Sequence, residues 1–571
     1  MEFVFNIGGE AGQGVQTLGA VLARCFSLGG LHLFADQDYE SRVRGGHNFF
    51  RIRVNDNPVQ AIDETTHILI ALNQETIDLH RGELAPQGVL LCDSDKIKSA
   101  ASDSQCFGLP LERLSQEKAG NKLMVNSVAT GAAVAMVGYD FDVLAQALRQ
   151  QFRSAGEAVV EANVTAARAG YEQARQQFKA DLGRGLRPTG DQKRMLIGGN
   201  EAIALGAIAA GCKFMSSYPM TPTTSIMEYM AGKAAEYGMV VLQAEDEIAA
   251  LNMVAGACFA GVRAIAATSG GGFSLMVEAL GLAGMTETPV VVIEGQRGGP
   301  ATGLPTRTEQ GDLEFMIHAA QGEFARAVLA PVTVEDCFWS TVHAFNLAER
   351  YQTPVIVATD HHLATSYTTL EPFDLSRVVI DRGQLLSEAE AGPDYKKYLL
   401  TPSGISPRAL PGYQNALVVA CGDEHDEEGH IIEDARTRSA MVTKRLAKLQ
   451  GMKQEALAPL TYGPAGAEVT LIGWGGTYGA LAEAVDMLNR DGLKANLVHL
   501  GQVWPLPAEA IAKDIAGARR TFVVENSAMG QLAHLIRAET GIQATDAIRK
   551  FDGRPFTPAN IVDQLRKEVA V

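Results

Sequence analysis

Cysteine is scarce and never paired. The seven residues Cys25, Cys92, Cys106, Cys212, Cys258, Cys337 and Cys421 include no Cys-x-x-Cys spacing. That excludes a local zinc or iron–sulfur site and a disulfide framework, leaving reduced, buried thiols as the reading. Net positive charge is also lacking: a formal charge of -17 provides no concentrated basic surface for nucleic acid. No stretch of about twenty uninterrupted apolar residues occurs. The short apolar run Met1–Gly9 has no basic segment before it, which does not fit a secretory leader. These absences give the expectation of a cytoplasmic protein with neither a membrane span nor a nucleic-acid partner.

Glycine, by contrast, is abundant, at 58 of 571 residues, alongside 46% hydrophobic and 20% charged residues. This is the composition of a globular α/β protein with many tight turns, and the length exceeds what one hydrophobic core usually supports. The chain opens as strand, glycine turn and helix: Phe3–Ile7 is β-prone, Gly8–Gly14 breaks it, and Val15–Phe26 has helical periodicity. Further β-prone runs and a helical stretch over Leu144–Phe178 complete an α/β domain over 1–180. Residues 181–194 have linker composition, with glycines, a proline and alternating charge. A second α/β domain is expected over 195–370, with strands at Val240–Leu242, Ala264–Ala267, Val290–Ile293 and Pro354–Ala358 in a mainly parallel sheet. Residues 371–466 read as an irregular connector and 467–571 as a third α/β domain, with a strand at Val469–Trp474 and a helix at Gly479–Leu488.

Chemistry concentrates in the second domain. Gly198-Gly199-Asn200 leads into a helix, and Tyr218-Pro219-Met220-Thr221-Pro222-Thr223-Thr224-Ser225 forms a proline-stiffened turn before another. A helix start rich in hydroxyls suits a small carboxylate, although hydroxyl capping alone explains the composition equally well. Glu245-Asp246-Glu247 opens a helix of small and apolar residues. Acids in a first turn complement the macrodipole, but Glu247 immediately precedes the apolar stretch and is the one expected to point inward. A carboxyl group in such surroundings can share a proton with a nitrogen base. Thr268-Ser269-Gly270-Gly271-Gly272 is a strand-to-helix turn where the backbone can approach a ligand, or simply pack closely. The long loop from Gly295 to Leu313 carries Arg297, Thr302 and Arg307, and ordered loops of that length are often functional.

These blocks, in this order and spacing, resemble the pyrimidine-binding region of thiamine-diphosphate-dependent 2-oxoacid:ferredoxin oxidoreductases, in which a Tyr-Pro-Ile-Thr-Pro motif precedes the cofactor glutamate. Met220 replaces the isoleucine, a volume-conserving change. Residues 1–180, with Gly-Gly-Glu-Ala-Gly-Gln-Gly and Ser41-Arg-Val-Arg-Gly-Gly-His47, resemble the family's gamma domain. Residues 467–571 resemble its transketolase C-terminal-like domain. The resemblance implies a fold of three α/β domains and a 2-oxoglutarate-type alpha subunit with a fused gamma domain. Glu247 would bond to N1′ of the cofactor's aminopyrimidine and favour its imino form, so that the 4′-imine removes the thiazolium C2 proton. Gly271, Gly272 and Arg297 would help hold the cofactor, and Thr221, Arg307, Tyr218 and Thr302 the substrate, with Arg307 clamping its carboxylate. The oxidised acyl group would pass to coenzyme A.

Thiamine enzymes of this kind hold diphosphate through Mg²⁺ on a Gly-Asp-Gly motif. The sequence has none, and the nearest triplet is Gly422-Asp423-Glu424. Mg²⁺, the diphosphate and a [4Fe–4S] cluster are therefore expected on a smaller beta subunit, in a dimer of heterodimers that reduces ferredoxin. Arg42, Arg44 and His47 form a basic turn that could meet coenzyme A phosphates, with ordinary surface charge as the competing reading. The segment Asp423–His430 reads as a solvated or interface loop rather than a metal site. Two rival readings stay open: a pyruvate or broad 2-oxoacid enzyme, and a non-catalytic assembly subunit.

Overall fold

The computed structural model describes residues 2–40, 45–97, 103–190 and 194–569. The chain divides into two compact units, one of residues 1–198, 366–373 and 557–559, the other of 199–365, 374–556 and 560–571.

The first unit is built on an eight-stranded mixed sheet. From one edge its strands are Cys106–Leu109, Leu84–Asp93, Thr66–Ala71, Glu2–Glu10, His47–Asn55, His32–Asp38, Tyr367–Leu370 and Met195–Gly198. The opening strand does not stop at Gly8 as its composition suggests. It runs to Glu10, paired antiparallel with His47–Asn55, because Gly8 is needed for contact rather than for a turn: a Cβ there would lie 2.4 Å from Thr76 Cγ2. The turn follows at Gly12 and Gly14, with φ of 93° and 77°. The stretch expected as one helix over Leu144–Phe178 is two, Phe141–Gln151 and Glu157–Gln177, parted at Gly156 with φ of 93°. Met195–Gly198, expected to begin the second domain, belongs to the first sheet, where it pairs with Tyr367–Leu370.

The second unit contains two sheets over a continuous apolar core. One has seven strands in the order Gln502–Trp504, Ala327–Leu329, Val355–Asp360, Val291–Gln296, Ala264–Thr268, Phe214–Ser217 and Val240–Gln243. All are parallel except Gln502–Trp504, an edge strand from the C-terminal part of the chain. The other has five strands, Leu460–Tyr462, Ala495–Leu500, Val469–Trp474, Arg520–Glu525 and Asp546–Arg549. Val292 and Ala358 of the larger sheet share the core with Ile472, Trp474 and Val498 of the smaller.

The connector is irregular until the helix Ala435–Gln454. Lys444 and Lys448 of that helix both reach the buried Glu287, each with a closest approach of 2.6 Å. Burial pushes the Glu287 carboxyl up, but Lys448 and Lys444 outweigh it and hold it at about 2. Among Asp423–His430, Asp426 Oδ1 accepts from the backbone N–H groups of Glu428, Gly429 and His430. Glu424 of the same segment accepts from Arg445 at 2.9 and 2.8 Å, and His425 is buried against Tyr398, so the segment is tied to its neighbours as well as to itself. No helix among the described residues is long and apolar enough to cross a membrane.

Candidate active site

The four sequence blocks converge at one edge of the seven-stranded sheet. Phe214–Ser217, Val240–Gln243, Ala264–Thr268 and Val291–Gln296 are parallel, and at their carboxyl ends the chain continues into Tyr218, Glu247, Ser269–Gly272 and Arg297. The carboxyl edge of a parallel sheet is where open α/β folds place ligands.

Glu247 opens the helix Glu247–Phe259. Its neighbour Asp246 caps that helix, accepting from Ala249 N at 2.8 Å, whereas Glu245 is exposed and Glu247 is only 3% exposed. The Glu247 carboxyl rests over the start of the helix Gly270–Met285. A Cβ on Gly272 would lie 2.3 Å from Glu247 Oε1 and 2.1 Å from Thr268 Oγ1, so only glycine admits the carboxyl at this depth. Thr268 touches two of the blocks at long range: its hydroxyl lies 3.5 Å from Glu247 Oε1 and 3.8 Å from Met220 Sδ. The Ser269 hydroxyl is buried and has no hydrogen-bond partner among the described residues. Gly271 is exposed, with Ala301 O, at 3.9 Å, the nearest atom to a Cβ built there.

The Tyr218–Ser225 turn is held from below. Asn200 Nδ2 donates to Pro222 O at 2.7 Å and Ser225 Oγ at 2.8 Å. Gly295 lets Thr223 and Pro222 approach, a Cβ there meeting Thr223 Cγ2 at 2.7 Å. From the side, Arg297 Nη1 donates to Thr221 O at 2.8 Å. Arg297 and Thr221 are therefore brought together, as are Glu247 and Gly272. Arg307 is half-buried further along the loop, its Nη1 donating to Thr306 O at 3.0 Å. Tyr218 and Thr302 are exposed at the rim.

The loop is clamped by residues of the smaller sheet. Gln310 Nε2 donates to Trp474 O at 2.9 Å, and Asn526 N donates to Gln310 Oε1 at 3.0 Å. Gln531 Nε2 donates to Gly311 O at 2.6 Å. Glycine-flanked strand ends at Gly475 and Asn526, of the kind that often bind ligands, thus hold the loop in place. Nothing in the sequence around Gln310 marks it for this role. Replacing Gln310 with alanine would strand the buried Asn526 N–H, whereas the Trp474 carbonyl keeps the Thr477 hydroxyl as a donor. One such stranded group costs about 1–3 kcal/mol, and that loss is measurable as a lower midpoint in denaturant unfolding.

His47 and Asn126 lie in the first unit. Arg42 and Arg44 lie outside the described residues. His47 is buried, and its Nε2 is 2.8 Å from His80 Nε2. Burial and then His80 lower its pKa, so it packs as a neutral ring and does not extend an exposed basic turn. Asn126 Nδ2 donates to Gln13 O at 2.8 Å and thereby pins the Gly12–Gly14 turn. It also lines a cavity of about 240 Å³ with Thr17, Ser127 and Asn163.

Sequence families match along most of the chain. The family described as pyruvate flavodoxin/ferredoxin oxidoreductase, thiamine diP-binding, matches residues 205–444. Pyruvate ferredoxin/flavodoxin oxidoreductase matches 4–173, and pyruvate:ferredoxin oxidoreductase core domain II matches 467–561. The 2-oxoacid:ferredoxin oxidoreductase subunit alpha of Sulfolobus sp is 32% identical over 100% of this chain and 97% of its own. The chain belongs to the 2-oxoacid:ferredoxin oxidoreductase alpha subunits. Among them, the 2-oxoglutarate oxidoreductase subunit KorA of Mycobacterium tuberculosis is 29% identical over 99% of this chain and 91% of its own. The solved 2-oxoglutarate:ferredoxin oxidoreductase from Magnetococcus marinus, with 2-oxoglutarate, coenzyme A and succinyl-CoA bound, is 33% identical. It superposes with a TM-score of 0.93 over 100% of this chain and 99% of that one. As an alpha subunit, the chain is part of a multisubunit oxidoreductase with a thiamine-diphosphate-binding domain.

Proposed function

We propose that this alpha subunit serves a coenzyme A-dependent 2-oxoglutarate:ferredoxin oxidoreductase, which converts 2-oxoglutarate to succinyl-CoA and CO2 while reducing ferredoxin. A smaller beta subunit completes its active site. The observation that carries the reading is the Glu247 carboxyl, buried at the meeting of four strand ends and seated over Gly272. When bound, thiamine diphosphate supplies a thiazolium that accepts the electron pair released when the 2-oxoacid loses CO2.

The residues present fit that group. Among the described residues the Glu247 carboxyl accepts one long hydrogen bond, from Thr268 Oγ1 at 3.5 Å, which leaves acceptor capacity for an aminopyrimidine N1′. The open space over Gly271 and the unpartnered Ser269 hydroxyl offer room and a polar contact. Glu247 would hold a proton at N1′, while Gly271, Gly272 and Arg297 keep the cofactor side of the pocket in shape. Thr221 and Arg307 would take the substrate carboxylate, with Tyr218 and Thr302 at its entrance. Arg307 can offer a forked pair of donors, and fixing a carboxylate in this way orients the neighbouring carbonyl.

The helices carrying Glu247 and Gly272 also present Ile248, Met253 and Leu275 to solvent, and the strand Val240–Gln243 before them presents Leu242. Exposed apolar residues around an incomplete site are consistent with a partner that covers them and excludes water. The missing Gly-Asp-Gly and the unpaired cysteines support a reading in which Mg²⁺, diphosphate and a [4Fe–4S] cluster are held by that partner, in a dimer of heterodimers. Steady-state rates of the purified complex test the substrate: kcat/KM for 2-oxoglutarate is expected to exceed that for pyruvate and branched 2-oxoacids by at least about tenfold. Turnover of pyruvate alone would overturn this assignment in favour of a pyruvate enzyme.

A further inference from the structure

Behind the loop that starts at Arg297 lies a carboxyl group with no part in the site described above. Glu294, in the strand Val291–Gln296, is 0% exposed; no N–H or hydroxyl group of the described residues donates to either of its carboxyl oxygens, and its side-chain hydrogen-bond neighbour is a second carboxyl group, Asp312. The charged groups facing it are Asp312, Arg297 and Asp360. Asp312 comes from the far end of the loop. Its backbone N–H donates to Gln296 Oε1 at 3.2 Å, and its Oδ2 lies 2.4 Å from where a Gly270 Cβ would be. Asp360 is already engaged, accepting from Thr308 Oγ1 at 3.0 Å and Leu363 N at 2.9 Å. The acids acting on Arg297 are Glu294 and Asp312, and Arg297 in turn holds the Thr221 carbonyl.

Burying an unpaired carboxylate is costly, and two carboxylates side by side resist ionising together. Were both ionised against one guanidinium, the cluster would carry a surplus negative charge out of water. With one proton retained, the Glu294–Asp312 pair and Arg297 are together neutral, and Asp360 is met by its own donors, Thr308 Oγ1 and Leu363 N. We propose that Glu294 and Asp312 share a single proton, so that together they form a one-charge counter-ion to Arg297 and act as positioning residues for the Thr221 turn. Burial, reinforced by Asp312, drives the Glu294 carboxyl well above the usual carboxylate range. Burial likewise raises Asp312.

The inference rests on the reading of the Thr221 turn as part of the active site, so its test includes a measurement that needs no turnover. In the purified complex, kcat of the wild type is expected to fall on the alkaline side as the shared proton leaves. Glu294→Gln and Asp312→Asn each leave a single carboxylate opposite Arg297 and should remove that limb. The double variant leaves the half-buried Arg297 guanidinium without its two facing acids and should lose at least about tenfold in kcat relative to either single variant. Thermal midpoints supply the independent reading. The native state keeps a proton that the unfolded chain releases above the ordinary carboxylate range. Wild-type stability therefore declines as pH rises from that range through the raised native pKa, and each single variant should flatten the decline. An alkaline limb and a midpoint slope unchanged in both single variants would overturn the proposal, as would a double variant no worse than the poorer single. Flattened midpoint slopes in an enzyme whose Glu247→Gln variant turns over normally would sustain the proton pair and sink the active-site reading instead.

Discussion

Glu247→Gln is expected to lower turnover of the assembled enzyme by about a hundredfold to ten-thousandfold, the range of a lost general acid–base contribution, while leaving the fold intact. Glutamine has nearly the same shape and can stay over Gly272, so packing is preserved. What it loses is the ability to share a proton with a ring nitrogen: an amide offers either a neutral acceptor oxygen or a donor, and neither favours protonation of its partner. Hydrogen–deuterium exchange at C2 of the bound cofactor should slow in parallel with kcat, because both depend on the same proton movement. Glu245→Gln is the matched control. Glu245 is an acid of the same turn but exposed, and its replacement should change neither rate. Normal exchange and turnover in Glu247→Gln would support a non-catalytic assembly subunit.

Gly272→Ala should cost nearly as much through a single methyl group. The added carbon would fall 2.3 Å from Glu247 Oε1 and 2.1 Å from Thr268 Oγ1, well inside contact distance, so the carboxyl must move out of its seat. A displacement of about 1 Å in a catalytic group is enough for about a hundredfold loss in kcat, and overpacking adds about 1–3 kcal/mol of destabilisation. Gly271→Ala separates the two causes. The nearest atom to its new methyl is 3.9 Å away, so stability should hold and any effect should appear in cofactor affinity. If Gly272→Ala kept full turnover, the close seating of Glu247 would have no catalytic meaning.

Local chemistry was legible where one segment carries its own reason. Glu247 stood out because it borders an apolar run, and it is buried while Glu245 is exposed. The strands at Ala264 and Val290 were visible as short apolar runs between glycine turns, and the observed Ala264–Thr268 and Val291–Gln296 differ from them only at their ends. What stayed hidden depends on partners distant in the chain. Met195–Gly198 finds its ladder partner at Tyr367–Leu370, and no periodicity within four residues can announce that. Gln310 is an ordinary loop glutamine until Trp474 and Asn526 meet it. Glu294 sits where an apolar strand residue is expected, and its importance comes from Asp312 and Arg297 arriving beside it. Glycines misled in one place, because Gly8 serves close contact with Thr76 inside a strand rather than a turn.

The return of Tyr367–Leu370 to the first sheet has a consequence for synthesis. That strand lies between His32–Asp38 and Met195–Gly198, so a nascent chain of some 200 residues has made every other strand of the sheet but cannot yet place Met195–Gly198 next to its neighbour. The edge of His32–Asp38 meanwhile stays unpaired, a template for unwanted association. At the ribosome the N-terminal sheet must therefore wait through roughly another 170 residues of translation, at about 5–20 residues per second, before its last gap closes.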